Sequence, residues 1–117
     1  MGPTVRFQEV LRRLAIFDEG CVDDQAALGA AGACLVDAKT AALVRVGVLV
    51  AIGSPAVCLE WSTSRALAAG ATEDEITGML LAITPVIGLS RAVGAAPDLG
   101  TALGYDIEAA LDDPDGC

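Results

Sequence analysis

Cysteine is the strongest nucleophile in this chain, and it occurs at positions 21, 34, 58 and 117. No two of these form a Cys-x-x-Cys pair, and the 117 residues contain no histidine. The side chain that most often shuttles protons at neutral pH, and most often binds metals, is therefore missing. That excludes a Ser-His-Asp triad and most zinc sites, so neither a metal nor an organic cofactor is expected. Cys58 stands apart from the other three. Ser54 followed by Pro55 reads as a helix N-cap with proline at the first helical position, which places Cys58 in the first turn. Backbone N–H dipoles there favour a thiolate, as a single-cysteine nucleophile needs. The competing reading is a small buried core residue, since Glu60 is nearby and no cation is. Cys21 and Cys34 read as packing residues and Cys117 as an exposed tail thiol.

Three neighbours of Cys58 have chemistry of their own. Glu60 serves as a general acid or base if buried, or otherwise as a solvated side chain pairing with Arg65. Trp61, the only tryptophan, either contacts a ligand or fills a core or interface. Ser62 and Ser54 supply hydroxyls on either side. Arg45 is the anomaly, standing inside a segment that is otherwise apolar from Leu43 to Ile52. Such a guanidinium snorkels to solvent, faces a cavity and holds a carboxylate, or pairs with an acid across a subunit interface. Lys39, the only lysine, reads as a surface residue.

The elements that must position these groups are helical. Leu and Ala dominate and aromatic residues make up only 3% of the chain, a composition suited to closely packed helices. Val5 to Asp18 carries an amphipathic spacing that Gly20 ends, and Val22 to Ala31 reads as a short Ala-rich helix. Asp37 caps a helix reaching about Ile52, apolar nearly all round and so buried on most sides. The next runs from Ser54-Pro55 to Ala69, with Gly70 as terminator. Thr72 and Glu75 have capping-box spacing ahead of an apolar stretch from Ile76 to Ile83, where Pro85 should kink or break the helix. A continuation through Leu89 and Val93 stops near Pro97. Asp98 then starts a last helix ending around Leu111, and Asp112 to Cys117 forms a frayed acidic tail.

The stretch from Leu35 to Ala95 resembles the carboxymuconolactone decarboxylase family, which includes the alkylhydroperoxidase-D-like proteins. The matching text is Leu35-Val36-Asp37-Ala38-Lys39-Thr40, then Ala51 to Ser62, then Arg65 to Ile76, with Ala-Gly-Ala-Thr-Glu-Asp-Glu-Ile the most specific piece. The resemblance implies an all-α, alkylhydroperoxidase-D-like fold assembled as a trimer or hexamer, in a single domain over 1–117 with its core at 35–95. It also implies a pocket at the start of the cysteine-bearing helix. Thiol oxidoreductases of the family carry Cys-x-x-Cys-x-x-x-His there, with a glutamate on the preceding helix. Here Cys58 takes the second cysteine's place and Ser62 the histidine's. Pro55 or Ser54 takes the first cysteine's place, and a residue near Ala42 takes the glutamate's. A dithiol cycle needs an attacking thiolate, a resolving thiol and a base, of which one remains.

Three function classes follow. The first is a cofactor-free decarboxylase or related enzyme acting on a small carboxylated or carbonyl substrate, with Arg45 holding the acid and Glu60 or Cys58 moving a proton. The second is a one-cysteine thiol oxidoreductase at Cys58. The third is a non-catalytic oligomer that binds a ligand or partner. With sixteen acidic and seven basic residues the formal charge is −9, and no basic cluster is present to displace counterions from nucleic acid or an anionic membrane. The apolar run from Val46 to Leu59 is interrupted at Gly53-Ser54-Pro55 and is too short to span a bilayer, so it reads as core. With no secretory signal, reduced thiols in the cytoplasm are expected. The apolar helices at 38–52 and 76–89 present more Leu, Ile and Val than a chain of this length can cover alone, which predicts self-association.

Overall fold

The computed structural model describes residues 3–16, 29, 32 and 35–112. The chain divides into two compact units, residues 1–36 and 37–117. Among the described residues every regular element is an α-helix. In the first unit, α1 spans Pro3–Ala15 and has Arg12 and Arg13 in its last turn, where cations oppose the negative end of the helix dipole. Both reach back to Glu9, at 2.9 and 3.0 Å. The expected helix over 22–31, the stop at Gly20, Cys21, Cys34, and residues 113–117 of the acidic tail lie outside the described residues.

In the second unit, α2 spans Ala38–Ile52, α3 Ala56–Ala68, α4 Glu73–Ile87, α5 Leu89–Ala102 and α6 Ile107–Asp112. Asp37 caps α2 as its sequence position suggests, accepting from the Thr40 N–H at 2.6 Å. Gly53 then turns left-handed (φ 72°), and the Ser54 N–H returns to the Leu49 carbonyl at 3.0 Å. This Schellman closure shares its residues with the start of the next helix. Consequently Ser54 is not the N-cap of α3. Pro55 holds that position with no side-chain cap, and its carbonyl accepts from the Cys58 N–H at 3.0 Å. A second Schellman pair ends α3: Gly70 N–H bonds Leu67 and Ala71 N–H bonds Ala66, each at 3.0 Å. Thr72 and Glu75 form the full capping box of α4.

The helices do not stop at Pro85 or Pro97. α4 runs through Pro85 to Ile87, and α5 runs through Pro97 to Ala102. A proline inside a helix removes one bond to the carbonyl four residues back. Those carbonyls belong to Leu81 and Val93, both exposed residues on the outer faces of their helices, where a lost donor costs less than in the core. α4 ends instead at Gly88 (φ 95°), and Asp98 lies inside α5 rather than opening a helix. The last helix is capped by Asp106, which accepts from the Ala109 N–H at 3.0 Å.

The core of this unit joins Val46 and Val50 of α2, Leu59 and Ala66 of α3, Ile76 of α4, and Ala95 and Leu99 of α5. α2 packs on α3, α4 and α5, and α5 packs on α3, α4 and α6. Gly47 permits the close α2–α4 approach, since a Cβ there would lie 3.2 Å from the Met79 sulfur. α2 is less enclosed than its composition suggests. Val46, Gly47 and Val50 are buried, while Val44, Val48 and Ile52 remain exposed, as does Val57 at the start of α3. No helix among the described residues is long and apolar enough to cross a membrane.

Candidate functional site

α2 and α3 pack side by side, and a cleft of about 270 Å³ opens between them, lined by Ala42, Arg45, Trp61, Ser62 and Arg65. Helical spacing explains the set. Arg45 stands one turn after Ala42 on α2, and Trp61 and Ser62 precede Arg65 by four and three residues on α3, so each group shares a helix face. Ala42 is small enough to leave the space open. Arg65 lies over the Trp61 ring with its guanidinium carbon 4.8 Å from the ring centroid, a cation–π contact that fixes both long side chains. Trp61 is 63% exposed, leaving the rest of the indole open, while Ser62 is only 7% exposed and sits deeper. Two arginines, an indole and a hydroxyl thus line one concave space, and among the described residues no carboxylate joins that lining. Guanidinium groups at a cleft suit an anionic ligand.

The sequence candidates distribute unevenly around this cleft. Arg45, Trp61 and Ser62 meet in it. Cys58, an exposed free thiol, is one helical turn before Trp61 and Ser62 on the same side of α3 and outside the cleft's lining. This corrects the buried-core reading of Cys58, because burial on α3 falls on Leu59, Ser62, Thr63 and Ala66. Trp61 is likewise not a core residue of this chain, and Arg45 is exposed rather than enclosed. Glu60 is half-buried, outside the cleft, and unpaired with Arg65, whose guanidinium stacks on Trp61 instead. Ser54 lines a different cleft.

That second cleft, of about 480 Å³, has Val50, Leu59 and Ala95 among its buried walls and Ser54, Ser90, Arg91 and Asp98 as its polar lining. Sequence reasoning missed it. Arg91 was legible only as a charge within an apolar segment, and Asp98 read as a helix cap. Their separation of seven residues, two turns on one helix face, was the available signal.

Elsewhere the framework is tied by Lys39 and Glu75, whose Nζ and Oε2 are 2.8 Å apart, joining the first turns of α2 and α4. The Lys39 ammonium, then the Thr72 N–H, hold the Glu75 carboxyl below its ordinary value, and Glu75 in turn raises Lys39. The Thr40 hydrogen bonds lower Asp37 in the same way. Between α2 and α4 an apolar groove of about 690 Å³ is lined by Val44, Val48, Met79, Ile83 and Val86 among others. Among the described residues no three Cys, Asp or Glu side chains converge as a metal-holding group. Compared with known proteins, the chain matches no family model, no curated protein and no solved structure.

Proposed function

We propose that the Arg45–Trp61–Ser62–Arg65 cleft binds a small carboxylated or carbonyl compound. In this reading the protein is a cofactor-free decarboxylase-like enzyme of the carboxymuconolactone decarboxylase type that has lost dithiol peroxidase chemistry. The observation that carries it is the convergence of Arg45, Arg65 and an exposed indole on one cleft between α2 and α3. The Leu35–Ala95 text supports the family part of the reading.

In such a reaction the bond to the departing carboxylate breaks, its electron pair moves into a conjugated carbonyl to form an enolate, and a proton returns to carbon. A guanidinium held against the departing carboxylate would stabilise the ground state and slow the step. Arg45 or Arg65 therefore assists when it faces the carbonyl oxygen on which charge develops. Cys58, one turn away on the same side of α3, is better placed than Glu60 to return the proton. Carbon dioxide release from a panel of small β-keto and lactone acids tests this. Turnover lost in Arg45→Gln with assembly unchanged is the expected result. Absence of both turnover and binding for every acid tried would overturn it. Binding without turnover would leave the non-catalytic, ligand-binding oligomer.

The exposure of Cys58 favours a second reading, a single-cysteine thiol oxidoreductase resolved by an external thiol. Rapid alkylation at neutral pH, and thiol-dependent hydroperoxide reduction abolished by Cys58→Ser, would select it. In either case the α2–α4 groove, with Val86 87% exposed at its edge, is the face that a second copy would cover. The proposed assembly is a trimer or hexamer in the cytoplasm with no nucleic-acid or membrane partner. Light scattering should give a multiple of 11.8 kDa, and Val48→Lys should lower it.

A further inference from the structure

The second cleft holds two opposite charges that do not neutralise each other. Arg91 and Asp98 both line it from α5, yet neither makes an ion pair or a hydrogen bond with any described residue. Seven residues apart on one helix face, their Cα atoms are separated by about 10.5 Å along the axis, too far for direct pairing of a short acid with a guanidinium turned elsewhere. The Arg91 guanidinium is indeed turned away, toward the α2–α3 link. It fills the space where a side chain at position 53 would stand: a Cβ there would lie 3.1 Å from the guanidinium carbon and in collision with Nη1. The link is held in that shape by the left-handed Gly53 and the Leu49–Ser54 hydrogen bond. Local electrostatics do not explain Arg91, since the first turn of a helix is unfavourable for a cation. Ser54 and Ser90 add hydroxyls to the lining, and the half-buried Asp98 lies two turns further along α5.

We propose that this cleft is a binding site for an extended zwitterion, a chain with a carboxylate at one end and an ammonium at the other, such as an ω-amino acid or a short peptide. Arg91, Ser54 and Ser90 take the carboxylate. Asp98 takes the ammonium, and the chain lies along Val50, Leu59 and Ala95. A pure anion gains one half of this site and is repelled by Asp98, while a pure cation gains the other half and is repelled by Arg91. Selectivity therefore comes from unlike charges held apart. The site is independent of the proposed function, because none of its lining residues belongs to the Arg45–Trp61 cleft.

The probe is 6-aminohexanoate, titrated calorimetrically into the full-length protein beside hexanoate, hexylammonium and glycine. Expected is binding of 6-aminohexanoate about tenfold or more tighter than the other three, since each end adds a charge-assisted hydrogen bond. Arg91→Gln should reduce its affinity to that of hexylammonium and Asp98→Asn to that of hexanoate. Arg45→Gln, in the other cleft, should leave it unchanged. Circular dichroism melts establish that each variant is folded. Equal affinity for hexanoate and 6-aminohexanoate, an effect of Arg45→Gln equal to that of Arg91→Gln, or no binding up to millimolar concentration would each overturn the proposal.

Discussion

The two clefts of the helical core are both built around arginine, and they differ in what faces it. Between α2 and α3, Arg45 and Arg65 share a space with Trp61, and among the described residues no acid lines it. Between the α2–α3 link and α5, Arg91 shares its space with Asp98. The first is a surface of like charge stabilised by an aromatic face, complementary to an anion. The second separates unlike charges and suits a ligand that carries both. Their supports differ as well. Arg65 and Trp61 sit one turn apart on a continuous helix and hold each other, whereas Arg91 depends on a tight turn belonging to other elements. A pair within one helix survives local change, while a contact that depends on a turn of other elements fails with that turn.

The largest effect is expected at that turn. Gly53→Ala places a Cβ at a left-handed residue and against the Arg91 guanidinium, a change worth about 1–3 kcal/mol of stability by denaturant unfolding. Zwitterion binding should fall with it while acid binding at Arg45 persists. Equal loss at both clefts would break the contrast drawn above. Next is Trp61→Ala, which removes the exposed ring under Arg65. It should weaken carboxylate binding about tenfold by calorimetry, with little change in unfolding midpoint and none in 6-aminohexanoate affinity.

Two substitutions sharpen the comparison by leaving both clefts alone. Thr72→Ala removes the hydroxyl half of the α4 capping box and should cost ~1 kcal/mol in a denaturant melt. Thr63 of α3 is fully buried, and its hydroxyl has no hydrogen-bond partner among the described residues. Thr63→Val should therefore raise stability by about 1 kcal/mol, and a loss would mean that the hydroxyl has a stabilising hydrogen-bond partner after all.

The smallest effect is on pH. Glu75 is held below its ordinary 4.5, so its stabilisation is fully present above that value and is lost as pH falls through the lower folded one. Lys39 is raised above 10.5, so its contribution is present below that value and is lost only as pH rises past the folded one. Melts between pH 5 and 9 should show no change from this pair. Glu75→Gln should remove a small part of the acid-side decline, small because both groups are solvent-screened.

Much of the helix punctuation was legible because its causes are local. Asp37, the Thr72–Glu75 box, the end of the helix near Ile52 and the Gly70 stop each act through nearby residues, and all appear in the structure. The interior prolines were misleading for a non-local reason. Whether a missing N–H ends a helix depends on whether the released carbonyl faces water, and exposure is decided by neighbouring helices. Asp98 and Asp106 are equally good caps by type. Gly104, at φ 78°, ends α5 just ahead of Asp106 and makes it the cap in use. Ser54 lost its expected cap role because the closure of α2 claimed the same link.

For the candidate sites the division is similar. The absence of histidine and of a cysteine pair, the acidic charge, and the grouping of Cys58, Glu60, Trp61 and Ser62 within one helix are properties of composition and spacing, and they limit the chemistry whatever the packing. Which of those four share a space was decided only when α2 lay against α3, bringing Arg45 and Ala42 to Trp61, Ser62 and Arg65 and leaving Glu60 outside. The meeting of Arg91 with Gly53 was decided in the same way, by α5 packing across the α2–α3 link. The physical reason is one of range. Caps, turns and charge counts depend on interactions within a few residues, whereas a cleft is the space left between helices whose packing depends on every apolar residue in the core.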